Sequence, residues 1–201
     1  MNTIDPRKVS SIRKLQEAYF SLLAEGGENI NILELCKKAN VTRPTFYNNF
    51  SSILDLRKEL HEVILNDLNE TLTIKNPKPI DAFEDDELPE NMVALFKHIL
   101  TNKKAYEVLL LQRPDFLFIR DVKNILQTYI VEGIKHAGDE THEMKVKIPF
   151  AIAFITGAYY ESIIWWIKHD YQHSPEEMAK LLLDISLYGP FEKNPNRKEG
   201  W

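Results

Sequence analysis

Residues 32–50 read ILELCKKANVTRPTFYNNF. Ile32, Leu35, Cys36 and Ala39 recur at steps of three and four, so they share one face of a short helix. Asn31 stands in front as a cap, with Glu34 three residues on to complete a capping box. Ala39 is small where a second helix must come close. Asn40 follows where the chain turns, and Asn tolerates positive φ. Val41 pins the turn to the core and Thr42 caps the next helix. Phe46 and Phe50, four apart, point inward together. Two short helices joined by one tight turn make a helix-turn-helix. Arg43, Thr45, Asn48 and Asn49 are left on the other faces, near the second helix's start. These side chains can reach base edges or phosphates in a major groove. Pro44 suits a first helical turn but biases Arg43 away from helical φ/ψ. The helix is therefore expected to begin one residue after Arg43.

Outward from this segment the pattern stays helical. Ile12, Leu15, Tyr19, Leu22 and Leu23 mark a helix from about Pro6 to Ala24, stopped by Gly26-Gly27. Ser51 or Ser52 opens a long helix through Leu54, Leu60, Ile64, Leu68 and Leu72. Lys75–Pro89, with its prolines and acidic run Glu84–Glu87, reads as a linker. Helical patterning resumes from Glu90 to Gln112, again from Pro114 to near Gly138, and from about Lys145 to Asp170. Gly138–Glu143 reads as a loop. Ser174-Pro175-Glu176-Glu177 is a helix start: a Ser cap, Pro at the first position, acids in the first turn. That helix ends near Gly189-Pro190, and a polar tail follows. No strand pattern or repeat is visible. The expectation is an all-α chain of about nine helices. Residues 1–52 form a helix-turn-helix domain. A long helix joins it to a bundle over 53–190, with 191–201 as a tail.

The chain has 201 residues, is 44% hydrophobic and carries a net charge of −5. Residues 1–50 hold seven Lys/Arg against five acids, so the first quarter is the part that tolerates phosphates. Arg7 and Lys8, at the start of the first helix, are expected phosphate contacts; Lys37 and Lys38 read as solvated charge. Cys36 is the only cysteine, which excludes an intrachain disulfide and fits a reducing cytoplasm. The N-terminus lacks an apolar signal core. The greasiest stretch, Ile148–Tyr160, is cut short by Glu161, so no membrane span is expected.

The run Val41–Phe50, ending in Tyr47-x-x-Phe50, with a long helix on either side, resembles the tetracycline-repressor (TetR) family. The resemblance covers the chain through Leu60. Gly157, Tyr160, Trp165-Trp166 and the Ser-Pro-Glu-Glu start extend it more loosely. It implies that Thr42, Arg43, Thr45, Tyr47 and Asn48 face double-stranded DNA, with Tyr47 on a phosphate. Three positions depart from the family pattern: Asn40 replaces a Gly, Ile53 a phosphate-binding Lys, and Asn49 a common His. Ser51, Ser52 or the helix N-terminus could stand in for that Lys.

The second part is rich in aromatics, which read chiefly as core and dimer interface. A pocket among bundle helices is also where ligands sit. Phe116, Phe154, Tyr160 and Trp165 are the candidates to touch a small apolar effector. Arg120 and Glu161 lie within apolar helices, where three roles fit them: orienting a polar ligand end, pairing with each other, or facing solvent. The last two helices are apolar on more than one face, so a second subunit is expected to cover them.

No phosphate loop, nucleophile elbow or zinc-protease motif is present, so no enzyme and no cofactor are expected. His169 and His173 are four apart but sit where a helix ends, so no metal is expected either. The expected function is a ligand-released repressor of a palindromic operator. An activator of the same fold, and an interaction module with a degenerate helix-turn-helix, are the alternatives.

Overall fold

The computed structural model describes residues 6–27, 29–75, 87–137 and 146–189. These hold nine α-helices: α1 (Pro6–Ala24), α2 (Ile32–Ala39), α3 (Arg43–Tyr47), α4 (Ile53–Thr71), α5 (Glu90–Thr101), α6 (Lys103–Tyr106), α7 (Phe116–Ala137), α8 (Ile148–Lys168) and α9 (Pro175–Tyr188). A π-helical turn, Glu107–Gln112, follows α6. The expected loop 138–143, tail 191–201 and most of the linker lie outside the described residues.

Local chemistry sets each boundary. Asn31 accepts from the Glu34 N–H and starts α2, without the reciprocal Glu34 bond expected of a capping box. Thr42 accepts from the Thr45 N–H, and α3 begins at Arg43 itself. Pro44 needs no N–H there, and the cap bond holds Arg43 helical despite the proline behind it. Ser52 caps α4 through the Asp55 N–H. Ser174 and Glu177 form a complete capping box at α9.

Two expected helices are built differently. The run Glu90–Gln112 is broken at Asn102, whose side chain donates to the His98 carbonyl, so the chain restarts as α6. Past the wider π turn, the Arg113 N–H reaches the Val108 carbonyl and the Asp115 N–H reaches Leu109. Asp115, rather than Pro114, then starts α7, its Oδ1 accepting from the Leu117 and Phe118 N–H groups.

One core runs through the molecule. Around α2 and α3 it is made by Leu15, Leu35, Phe46 and Phe50. In the bundle, Phe96 packs edge-on against Trp166, with ring centroids 5.2 Å apart, and Tyr106 against Phe118 at 5.6 Å. By length and hydropathy alone α8 is long and apolar enough to cross a bilayer, Glu161 notwithstanding, a test that a core helix also passes. Here Tyr159, Ile163, Trp166 and Ile167 are buried, and apolar exposure is confined to one stripe.

Candidate nucleic-acid interface

The geometry of the helix-turn-helix follows from one backbone excursion. Asn40 sits in the left-handed region at φ 52°, ψ 48°, closing α2. The Val41 N–H bonds the Cys36 carbonyl at 3.0 Å, folding the chain back toward α3. The buried Cys36 thiol lies 3.9 Å from the Thr42 carbonyl oxygen, on the inside of the turn. Its environment raises the thiol's pKa through burial, so it is held as a neutral packing group. Phe46 and Phe50 are fully buried with ring centroids 5.8 Å apart, fixing α3 to the core.

What remains outside is the polar side of α3. Thr42, Arg43, Tyr47 and Asn48 are exposed, Tyr47 by 51%, its ring standing edge-on to Phe46. Thr45 is half-buried and its hydroxyl lies 2.8 Å from that of Thr42, so the two are tied to each other. Asn49 is turned away: its Nδ2 donates to the Thr45 carbonyl at 2.7 Å and its Oδ1 is buried. Of the expected set, Thr42 and Asn49 both bond their own backbone, but Thr42 stays exposed while Asn49 turns inward. Arg7 and Lys8 are exposed in the first turn of α1.

The start of α4 is also committed internally. Both the N–H and the hydroxyl of Ser51 donate to the Asp55 carboxylate, at 2.8 and 3.0 Å. These Ser51 bonds hold the Asp55 carboxyl below the usual range. An anion already occupies the site where a Lys-replacing phosphate contact was expected.

The expected effector residues do not converge. Phe116 is 83% exposed, Phe154 69% and Trp165 42%. Arg120 is exposed and pairs with its neighbour Asp121, not with Glu161, which is itself exposed. Tyr160 is buried beneath Lys123, whose Nζ lies 4.1 Å from the ring centroid. Phe154, Glu161 and Trp165 share the outer stripe of α8, so they face out of the bundle. A cavity of about 270 Å³ opens elsewhere, between the end of α4 and the second half of α7. Leu72 and Ile74 meet Ile125 and Tyr129 there, with Glu132 and His136 as polar groups. His169 and His173 both stack on Trp165, and no cluster of three metal-ligating side chains forms among the described residues.

Residues 86–187 match the TetR_C_8 family, described as "Transcriptional regulator C-terminal region". The chain belongs to the TetR family of transcriptional regulators. No curated protein matches it. Solved structures share the fold at low identity. A TetR transcriptional regulator from Streptococcus agalactiae 2603V is 22% identical with a TM-score of 0.60, covering 90% of this chain and 96% of that one. FadR from Bacillus subtilis, in complex with stearoyl-CoA, is 17% identical with a TM-score of 0.59, covering 88% and 98%. A dihydroxyacetone kinase operon activator, DhaS, is 17% identical with a TM-score of 0.57, covering 88% and 94%.

In this TetR-family regulator one junction escaped the sequence reading. Asp115 forms an ion pair with Arg57 of α4 and lies 3.7 Å from His61 Nε2. Burial works to raise the Asp115 carboxyl's pKa; the Phe118 N–H, Arg57 and His61 outweigh it and hold the group low. Signals for the junction exist. Pro114-Asp115 before an apolar run is a cap signature, and Arg57 and His61 lie four apart on one helix face.

Proposed function

We propose that this regulator binds operator DNA through α3, with Arg43 and Asn48 reading base edges and Thr42, Thr45 and Tyr47 contacting them or the adjoining phosphates. The observation that carries this is the polar face of α3 left outside while Phe46 and Phe50 bury the other side. Arg7 and Lys8 add phosphate contacts from α1. Asn49 contributes by fixing α3 rather than by touching DNA. Residues 1–52 act as reading head and 53–190 as sensing and dimerising body. Acting on DNA fits a cytoplasmic protein.

Two heads are needed for a dyad operator. The outer stripe of α8, with Phe150, Phe154 and Trp165, and Leu181 and Ile185 on α9, leaves large apolar side chains in water. A second copy covering α8 and α9 removes them from solvent. This reading gives Phe154, Glu161 and Trp165 to the dimer instead of the effector.

The effector's place is the α4–α7 cavity. Its lining suits a small molecule with an apolar body, held by Leu72, Ile74 and Ile125, and a polar end near Glu132 and His136. The stearoyl-CoA on the FadR structure supports an apolar effector; in the repressor reading, that ligand favours the head spacing that releases DNA. DhaS, named an activator, supports the opposite polarity on the same fold.

The test is a hydroxyl-radical footprint on the DNA upstream of the gene. Two protected patches on one face, roughly 10 base pairs apart centre to centre, are expected. A single patch contradicts the dimer, and no protection on any upstream fragment contradicts the DNA-binding reading.

A further inference from the structure

The reading head is fastened to the body at a point that can be named. Helix α4 begins one short joint after α3, so any rotation of α4 carries α3 with it. Its first half meets the start of α7 through polar groups: Arg57 pairs with the Asp115 carboxylate, and His61 packs on the Phe118 ring at 5.2 Å. Asn69 in its last turn and Leu72, Thr73 and Ile74 just beyond it form one wall of the cavity whose other wall is α7. The two helices therefore touch near the head and stand apart at the far end. A polar clasp holds the end near the DNA head, and an open space separates the end far from it. His61 and Leu72 are eleven residues apart, about 16 Å along a helix.

Asp115 does several things at the clasp. Its Oδ1 accepts from two N–H groups and so starts α7. Its Oδ2 holds Arg57. Its own N–H bonds the Leu109 carbonyl and ties the junction to the π turn. That turn packs against α1 of the head, where Arg113 lies beside Gly26. One carboxylate, only 9% exposed, thus links the reading head, α4 and α7.

We propose that the Asp115–Arg57 pair is the fulcrum of this regulator: it fixes the angle at which α4 meets α7, and with it the position of α3 relative to the body. The pair positions the reading surface without touching DNA or ligand. This rests on the DNA-binding, effector-responsive reading above, but the geometry of the clasp can be tested without either. A stiff fulcrum also explains the polar clasp. Apolar side chains slide past one another at little cost, whereas an ion pair capping a helix has one geometry.

Asp115→Asn separates the two roles of the carboxylate, because Asn caps a helix as well as Asp does but cannot hold Arg57 as an ion pair. Arg57→Gln removes the other partner from a half-exposed site that the fold tolerates. Spin labels at Lys37→Cys on α2 and Gln127→Cys on α7, in a Cys36→Ala background and diluted with unlabelled protein, report the head-to-body distance by pulsed electron resonance. The expected result is one narrow distance in the parent. Asp115→Asn and Arg57→Gln each broaden or shift it, the double variant does no more than either single one, and Arg57→Lys restores it. Lys97→Gln, which breaks the surface pair with Glu176 between α5 and α9, leaves it unchanged. Where an operator is in hand, both fulcrum variants change its affinity by about 5- to 150-fold, the span of an ordinary coupling between sites. Unchanged distances in Asp115→Asn and Arg57→Gln overturn the proposal, as does equal broadening in Lys97→Gln. Failure to find any DNA site removes the regulatory reading and leaves the distance result standing.

Discussion

Asn40 shows how much of the reading surface hangs on single residues. Its φ of 52° belongs to the left-handed region, which costs an ordinary residue about 1–2 kcal/mol. Asn meets part of that cost, and glycine meets it fully. Asn40→Ala is therefore expected to lower unfolding free energy by about 1 kcal/mol, and Asn40→Gly to leave it level or slightly raised, in urea titrations with unchanged slope. His98 makes a second case. It is buried on α5, with Nδ1 2.7 Å from the Asp67 carboxylate and Nε2 3.0 Å from the Tyr106 hydroxyl. The carboxylate only accepts, so Nδ1–H donates to it and Tyr106 donates to Nε2. Burial lowers the His98 pKa, outweighing the Asp67 bond that raises it, and burial lowers that of His61 as well. Both groups take up protons more readily unfolded than folded. Their contribution is full above the unfolded value of about 6.5 and is lost as pH falls below it. Thermal melts are expected to drop from pH 7 to pH 5.5, and His98→Asn to flatten part of that slope, the remainder belonging to His61.

At the level of elements, α8 divides its faces sharply. Tyr159, Ile163 and Trp166 are buried, while Phe150, Phe154, Gly157, Glu161 and Trp165 face outward. Periodicity identified an apolar helix needing cover on more than one side. It could not say which aromatics look inward, because Phe and Trp occur on both faces. For that reason Phe154 and Trp165 read as ligand contacts from sequence and sit on the outer stripe in the structure. Caps were far more legible: Thr42, Ser174 and Asn31 each act on the residue three positions ahead, a purely local rule. The break at Asn102 and the π turn were not, since both depend on how α5, α6 and α7 pack against each other. The α8 stripe gives its own prediction. Phe154→Glu adds charge at a site already 69% exposed, so the folded chain keeps its melting temperature. Sedimentation is expected to show a monomer in place of a dimer, with loss of operator binding. A dimer unchanged by Phe154→Glu contradicts the use of this stripe.

Across the whole molecule, sequence and structure agree best where the chain is most local. The helix-turn-helix was readable because cap, turn and two buried rings lie within nineteen consecutive residues. The Arg57–Asp115 clasp joins positions 58 residues apart, and the cavity joins α4 to α7 across a segment with no pattern to align them. Charge follows the same division. The net charge is −5, yet the first fifty residues carry a surplus of two cations, so attraction to DNA must come from the head alone. This gives the decisive measurement: fluorescence-anisotropy titration of a labelled upstream fragment with wild type, Arg43→Ala and Asn48→Ala over a salt series. Wild-type binding is expected to weaken steadily with salt, as phosphate contacts require. Each substitution is expected to cost about 1–3 kcal/mol of affinity for the specific site while melting temperature holds. Equal binding by all three proteins, or binding indifferent to salt, contradicts the claim that the outer face of α3 reads DNA.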